Sequence, residues 1–298
     1  MSTATSPVTL PRKSVGVRVL HLPVDPGLLF RHTLLMFFVA VILLPLTWIL
    51  ASSFKSVPEL YRVPTTLFPT QPSIDSYRFV LTQVPRLPLY YENSVAVTTV
   101  SVVLAGAISC LAGYAFARLE FPGRDQIFWG LVVSLFLPTS ITSLFAVYEL
   151  TSRLQLLDTW LGLILPYTAG HLIVSTFIMR SVYMSVPGEL EDAARIDGCG
   201  RLQVFARIML PLGATGLAVT TILNFISIWG EYLIARTLTY EQARTLPVQI
   251  ALLQPNTGEW HFNTVTAAYM LMFGPAFLVL VVLQRRFMRG LTEGALKF

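Results

Sequence analysis

Six stretches without a single Asp, Glu, Lys or Arg, at 32–54, 93–117, 126–148, 159–179, 208–230 and 260–284, constrain this chain more than any other feature. Each holds at least the roughly 20 residues a helix needs to cross about 30 Å of hydrocarbon. In lipid a backbone must satisfy its own hydrogen bonds, so six such runs predict six transmembrane helices and an all-α integral membrane protein. Composition agrees, since only 12% of residues are charged and 54% are hydrophobic, against roughly 25% charged in a soluble domain.

Six crossings put both termini on one side, and the basic residues choose which. With the N-terminus inside, Arg12, Lys13, Arg18, Arg31, Arg118, Arg124, Arg180, Arg195, Arg201, Arg207, Arg285, Arg286, Arg289 and Lys297 are cytoplasmic, 14 of the 21 Lys and Arg. That bias favours N-in and C-in. The pI of about 9.4 is thereby read as a topology signal, and nucleic acid is not expected as a partner. The expected organisation is a cytoplasmic tail at 1–31, a first span at 32–54, an extracytoplasmic loop at 55–92, a five-span core at 93–284 and a cytoplasmic tail at 285–298. Residues 1–30 hold no short apolar core with a cleavage site, so the first span reads as an uncleaved anchor. Cys110 and Cys199 fall on opposite sides of a span boundary and read as free thiols.

The longest polar interruption of the hydrophobic half is the cytoplasmic loop at 180–211, and within it Pro187 to Pro211 reads PGELEDAARIDGCGRLQVFARIMLP. Glu189, Glu191 and Asp192 open a helix at its positive end, with Leu190, Ala193 and Ala194 spaced to share a face. Gly198 and Gly200 break it. A second short helix is expected to carry Leu202, Phe205 and Met209 on one stripe and to end at Pro211.

This gapped pattern, Asp192-Ala193-Ala194, then Asp197-Gly198, Phe205, Ile208 and Leu210-Pro211, resembles the Glu-Ala-Ala loop of binding-protein-dependent ABC importer permeases. Asp192 stands where that family usually has Glu, and Cys199-Gly200 where it often has Ala-Ser. Leu156-Leu157-Asp158-Thr159, Thr245-Leu246-Pro247-Val248 and the tail after Gln284 are similar to the second permease of the carbohydrate (maltose or oligosaccharide) branch. The resemblance covers about 28–298. It implies a type I importer permease fold in a bacterial inner membrane, with Leu190, Asp192, Ala193, Ala194, Asp197, Gly198, Phe205, Ile208, Leu210 and Pro211 coupling to an ATPase. The implied partners are a second permease, two copies of an ABC ATPase holding ATP and Mg, and an extracytoplasmic substrate-binding protein. Glycerol-3-phosphate permeases share these signatures and remain the alternative cargo reading.

Several side chains are candidates for the pathway. Pro138 and Ser140 interrupt the third run, marking either a packed kink or a kinked lining helix. His171, within the fourth run, either bonds a neighbouring helix or lines the route. Asn224 and Ser227 are spaced to share a face and a cavity, and Trp229 and Glu231 are read as interface anchors ahead of substrate contacts. Gly230 occupies the position where the family commonly has Asn. The charge-free piece at 245–258 is too short to cross and is expected to be re-entrant or interfacial. No G-x-x-x-x-G-K-[ST] loop occurs in the sequence, so ATP hydrolysis is assigned to a partner and the chain is not read as an enzyme. The six runs contain no carboxylate, which weighs against an ion-coupled secondary transporter.

Overall fold

The computed structural model describes residues 26–136, 142–253 and 260–295, and every regular element among them is helical. The chain divides into two units, 1–47 and 48–298. Of the first, the described part belongs to α1 (Pro26–Ser53), which runs on helically through Pro45. From 27 to 46 its residues are all exposed, as at Phe30, Phe37 and Ile42. A soluble fold would not leave such a surface uncovered, whereas lipid covers it.

The second unit is built on α4 (Leu87–Arg118), α7 (Trp160–Met184), α11 (Ala214–Trp229) and α14 (Phe262–Ala295). The most extensive helix pairing joins α4 to α7. Small residues make it possible: Ala105, Ser109 and Gly113 of α4 are buried, and a Cβ on Gly113 would stand 2.7 Å from Met179 Cβ and 2.9 Å from the Arg180 amide nitrogen. The backbones therefore touch, gaining dispersion contacts that larger side chains would forbid. Thr159 starts α7 by accepting a hydrogen bond from the Gly162 amide at 3.1 Å.

Among the described residues four helices are long and apolar enough to span, or five if a bent pair counts as one. They fall at the first, second, fourth and sixth runs. The expected third span differs: α5 (Arg124–Ser134) and α6 (Thr142–Arg153) have 11 and 12 residues, and each reaches only about 18 Å. Pro138 and Ser140 lie outside the described residues. α5 is held through Phe128, whose ring stacks on Phe177 at 6.2 Å.

The expected fifth span is bent by 69° between Arg201–Leu212 and Ala214–Trp229. The second loop helix is expected to end at Pro211, but the break falls at Gly213, where a Cβ would lie 2.7 Å from the Tyr183 ring. Ahead of it, α9 (Arg201–Val204) opens into a π turn at Phe205–Met209, followed by α10 (Leu210–Leu212). The wide turn takes the chain into Pro211, whose nitrogen has no hydrogen to donate.

The segment between α1 and α4 is tied down rather than loose. Its helices are α2 (Val57–Leu60) and α3 (Asp75–Gln83). Glu59 accepts from the Thr70 amide and hydroxyl, and the amide bond holds its carboxyl below the usual pKa range. Asn263 at the start of α14 donates to the Lys55 carbonyl at 2.9 Å. The charge-free stretch at 245–258 forms α13 (Leu246–Ala251), with Leu246, Val248 and Ile250 buried against α4 and α14.

Candidate functional site

The loop singled out by its polarity folds as α8 (Glu189–Ile196), a tight turn and α9. Gly198, with φ +85°, ends α8 in a conformation that costs a side chain about 1 kcal/mol or more. The Cys199 amide donates to the Ala194 carbonyl at 2.9 Å and the Gly198 amide to the Arg195 carbonyl at 3.0 Å, the paired bonds of a Schellman ending. The Gly200 amide then donates to Gln203 Oε1 at 2.9 Å, which starts α9.

The inner face differs from the expected one. Glu191 and Ala194 are the buried residues of α8, while Leu190, Asp192 and Ala193 are exposed. Phe205 and Met209 are buried with Tyr114, Met179 and Tyr183. Leu202, expected on their stripe, is 75% exposed, because the π turn breaks the 3.6-residue register after Val204. Ile196 is 86% exposed. Asp197 and Gly198 are exposed, Ile208 is half-buried, and Leu210 and Pro211 are exposed. Leu190 and Ile196 on α8 and Leu202 on α9 are thus bare apolar side chains on an otherwise polar loop.

Beneath α8 lies a group that sequence reasoning missed. Arg118, the last residue of α4, pairs its Nε with Glu191 Oε1 at 2.9 Å. Its Nη2 donates to the Tyr183 carbonyl at 2.9 Å and also to the Val186 carbonyl. The Tyr114 hydroxyl donates to Glu191 Oε2 at 3.3 Å. Glu191 had been read only as a helix-dipole residue; its neighbour in sequence, Asp192, gave no sign that the two carboxylates face opposite ways.

Of the pathway candidates, His171, Asn224, Ser227, Trp229 and Glu231 lie among the described residues. His171 Nδ1 bonds the Tyr167 carbonyl of its own helix at 2.8 Å. Asn224 is buried and exchanges hydrogen bonds with Ser175 of α7 at 3.0 and 3.3 Å, whereas Ser227 is exposed, so the two share no cavity. Trp229 is no interface anchor: it is buried, donates to the Met272 carbonyl at 2.9 Å and stacks on Phe225. Glu231 accepts from the Ile234 and Ala235 amides at 2.8 and 3.1 Å, capping α12 (Leu233–Leu238), and from the Tyr167 hydroxyl. Among the described residues no three His, Cys, Asp or Glu side chains could hold a metal ion together.

The described core is thus a helical bundle carrying a helix-turn-helix, with Ile196 and Leu202 exposed on it and the Arg118–Glu191 pair beneath. Residues 93–293 match the binding-protein-dependent transport system inner membrane component, and the chain belongs to that family. It is 38% identical to the sulfoquinovosyl glycerol transport system permease protein SmoH of Agrobacterium fabrum, over 92% of this chain and 98% of the relative. The trehalose transport system permease protein SugB of Mycobacterium tuberculosis is 33% identical, covering 86% and 92%. The sn-glycerol-3-phosphate transport system permease protein UgpE of Escherichia coli is 29% identical, covering 89% and 96%. In fold, the chain is similar to one of a bacterial ABC transporter that imports alginate, with a TM-score of 0.76 at 23% identity, covering 87% of this chain and 95% of that one.

Proposed function

We propose that this chain is one of two dissimilar permeases of an ATP-driven importer for a di- or oligosaccharide, with six spans and both termini in the cytoplasm. Its partners are the second permease, two ABC ATPase subunits that bind ATP and Mg, and an extracytoplasmic binding protein that delivers the sugar. The carbohydrate assignment draws on the cargo in the relatives' names, trehalose among them; glycerol 3-phosphate is the second reading, because one relative is named for it.

The observation that carries the coupling role is the exposure of Ile196 and Leu202, at 86% and 75%, on an otherwise polar loop. Leu190, Asp192, Ala193, Ala194, Asp197, Gly198, Phe205, Ile208, Leu210 and Pro211 form or support that surface. Closure of the ATPase pair pushes α8, and the attached helices tilt as a rigid body between inward-open and outward-open states. Gly198 supports the reading through its φ of +85°, which the proline ring, locked near −65°, cannot adopt.

The test is uptake by the complete importer in vesicles, with trehalose and glycerol 3-phosphate as alternative cargoes. ATP-dependent uptake of the sugar is expected, with Gly198→Pro still assembling and hydrolysing ATP but importing at least tenfold less. Uptake by this chain alone down an ion gradient would overturn the proposal.

A further inference from the structure

We infer that Arg118 and Glu191 form the joint through which displacement of α8 reaches α4 and α7. The inference rests on the coupling role just proposed and adds the residues that carry the push inward. A single guanidinium meets three elements here: it belongs to the end of α4, holds the Tyr183 and Val186 carbonyls where α7 finishes, and pairs with the acid of α8. The side chain of Glu191 is only 5% exposed and that of Arg118 only 19%. Among the described residues, Arg118 Nε and Glu191 Oε1 have no partner but each other. The second carboxylate oxygen is held by Tyr114, with Arg195 at 3.7 Å.

Such a pair is poorly explained as glue. Burying two charges costs desolvation energy that apolar side chains of similar volume avoid, often with no loss of stability. Apolar contact, however, is non-directional, so a helix seated only on Ala194 could roll or slide when pushed. A planar fork engaged with a carboxylate and two carbonyls has one geometry, and leaving it exposes an unpaired charge to a poorly hydrated site. The ion pair thus holds α8 in a fixed register on α4 and α7. Arg118 and Glu191 are positioning residues, while Asp192, at 72% side-chain exposure and 3.6 Å from Arg195, faces outward towards the partner.

The experiment places spin labels on Glu189→Cys and Glu120→Cys, both exposed positions, in the assembled importer carrying Cys199→Ser. With Arg118 and Glu191 intact, the distance between labels should be the same in the nucleotide-free and ATP-trapped states. In Glu191→Gln it should change on trapping, and sugar imported per ATP hydrolysed should fall at least tenfold. Arg118→Met combined with Glu191→Leu removes both charges and separates register from stability. This double variant should keep the importer's melting temperature while import per ATP stays at least tenfold down. A label distance that changes during the unmutated cycle, or wild-type import by the double variant, would overturn the joint. Failure of the coupling role itself would look different, since Gly198→Pro would then import as well per ATP as the unmutated importer.

Discussion

At the scale of single residues, the same chemical group does opposite jobs according to what the fold puts around it. Asp158 carries φ +58° and turns its carboxylate onto the backbone that follows α12. It accepts from the amides of Tyr240, Glu241, Gln242 and Ala243 at 3.0–3.3 Å. Asn93 binds the Gln242 and Arg244 carbonyls of the same turn, so both polarities of that backbone are satisfied. Partial burial pushes the Asp158 carboxyl up, but the four amides together outweigh it and the net pKa is lowered. A lowered pKa means stabilisation that is complete above the ordinary carboxylate value near 3.9 and is lost as pH falls through the folded value. Asp158→Asn should therefore cost about 1 kcal/mol at pH 7, and thermal unfolding followed towards pH 3 should show the two proteins converging. Leu156-Leu157-Asp158-Thr159 was recognisable as a family signature, yet nothing in it revealed the acceptor role, because its four donors lie more than 80 positions away. The partners of Trp229 and Asn224 are hidden from the sequence for the same reason: Met272 and Ser175 belong to other helices.

At the scale of elements, hydropathy located four long helices but left their contacts open. Runs 93–117 and 159–179 locate α4 and α7, which extend six residues before the first run and five beyond the second. Which small residue touches what was settled by the crossing of the two helices. Gly113→Val should drive a branched side chain into the α7 backbone, destabilising the purified protein by about 1–3 kcal/mol in a thermal melt. Gly170→Ala, on α7 with nothing within 4 Å of its added Cβ, should be neutral or slightly stabilising, by up to about 1 kcal/mol. The bend after α10 shows the limit of local reasoning. Pro211 was the visible breaker, but a π turn absorbs it, and the chain turns where Gly213 lets the Tyr183 ring approach. That site is legible only once α7 is beside it.

At the scale of the molecule, the distribution of Lys and Arg yields a topology that labelling can test. Cys110 is buried and Cys199 partly accessible, so a membrane-impermeant maleimide should react with the native chain in inverted vesicles and spare it in right-side-out cells. Val63→Cys, at a position 89% exposed, should show the reverse pattern in a Cys199→Ser background. The opposite result would invert the proposed orientation. The sequence alone determined that this is a helical membrane protein and where the helix-turn-helix at 187–211 lies, because hydrocarbon thickness and the Gly198 turn act on contiguous residues. Only the tertiary structure decided that Glu191 faces inward and Asp192 outward, that Asn224 bonds Ser175 and Trp229 the Met272 carbonyl, and that Arg118 pairs with Glu191. Those outcomes depend on groups far apart in the chain, whose pairing in a poorly hydrated interior no periodicity encodes.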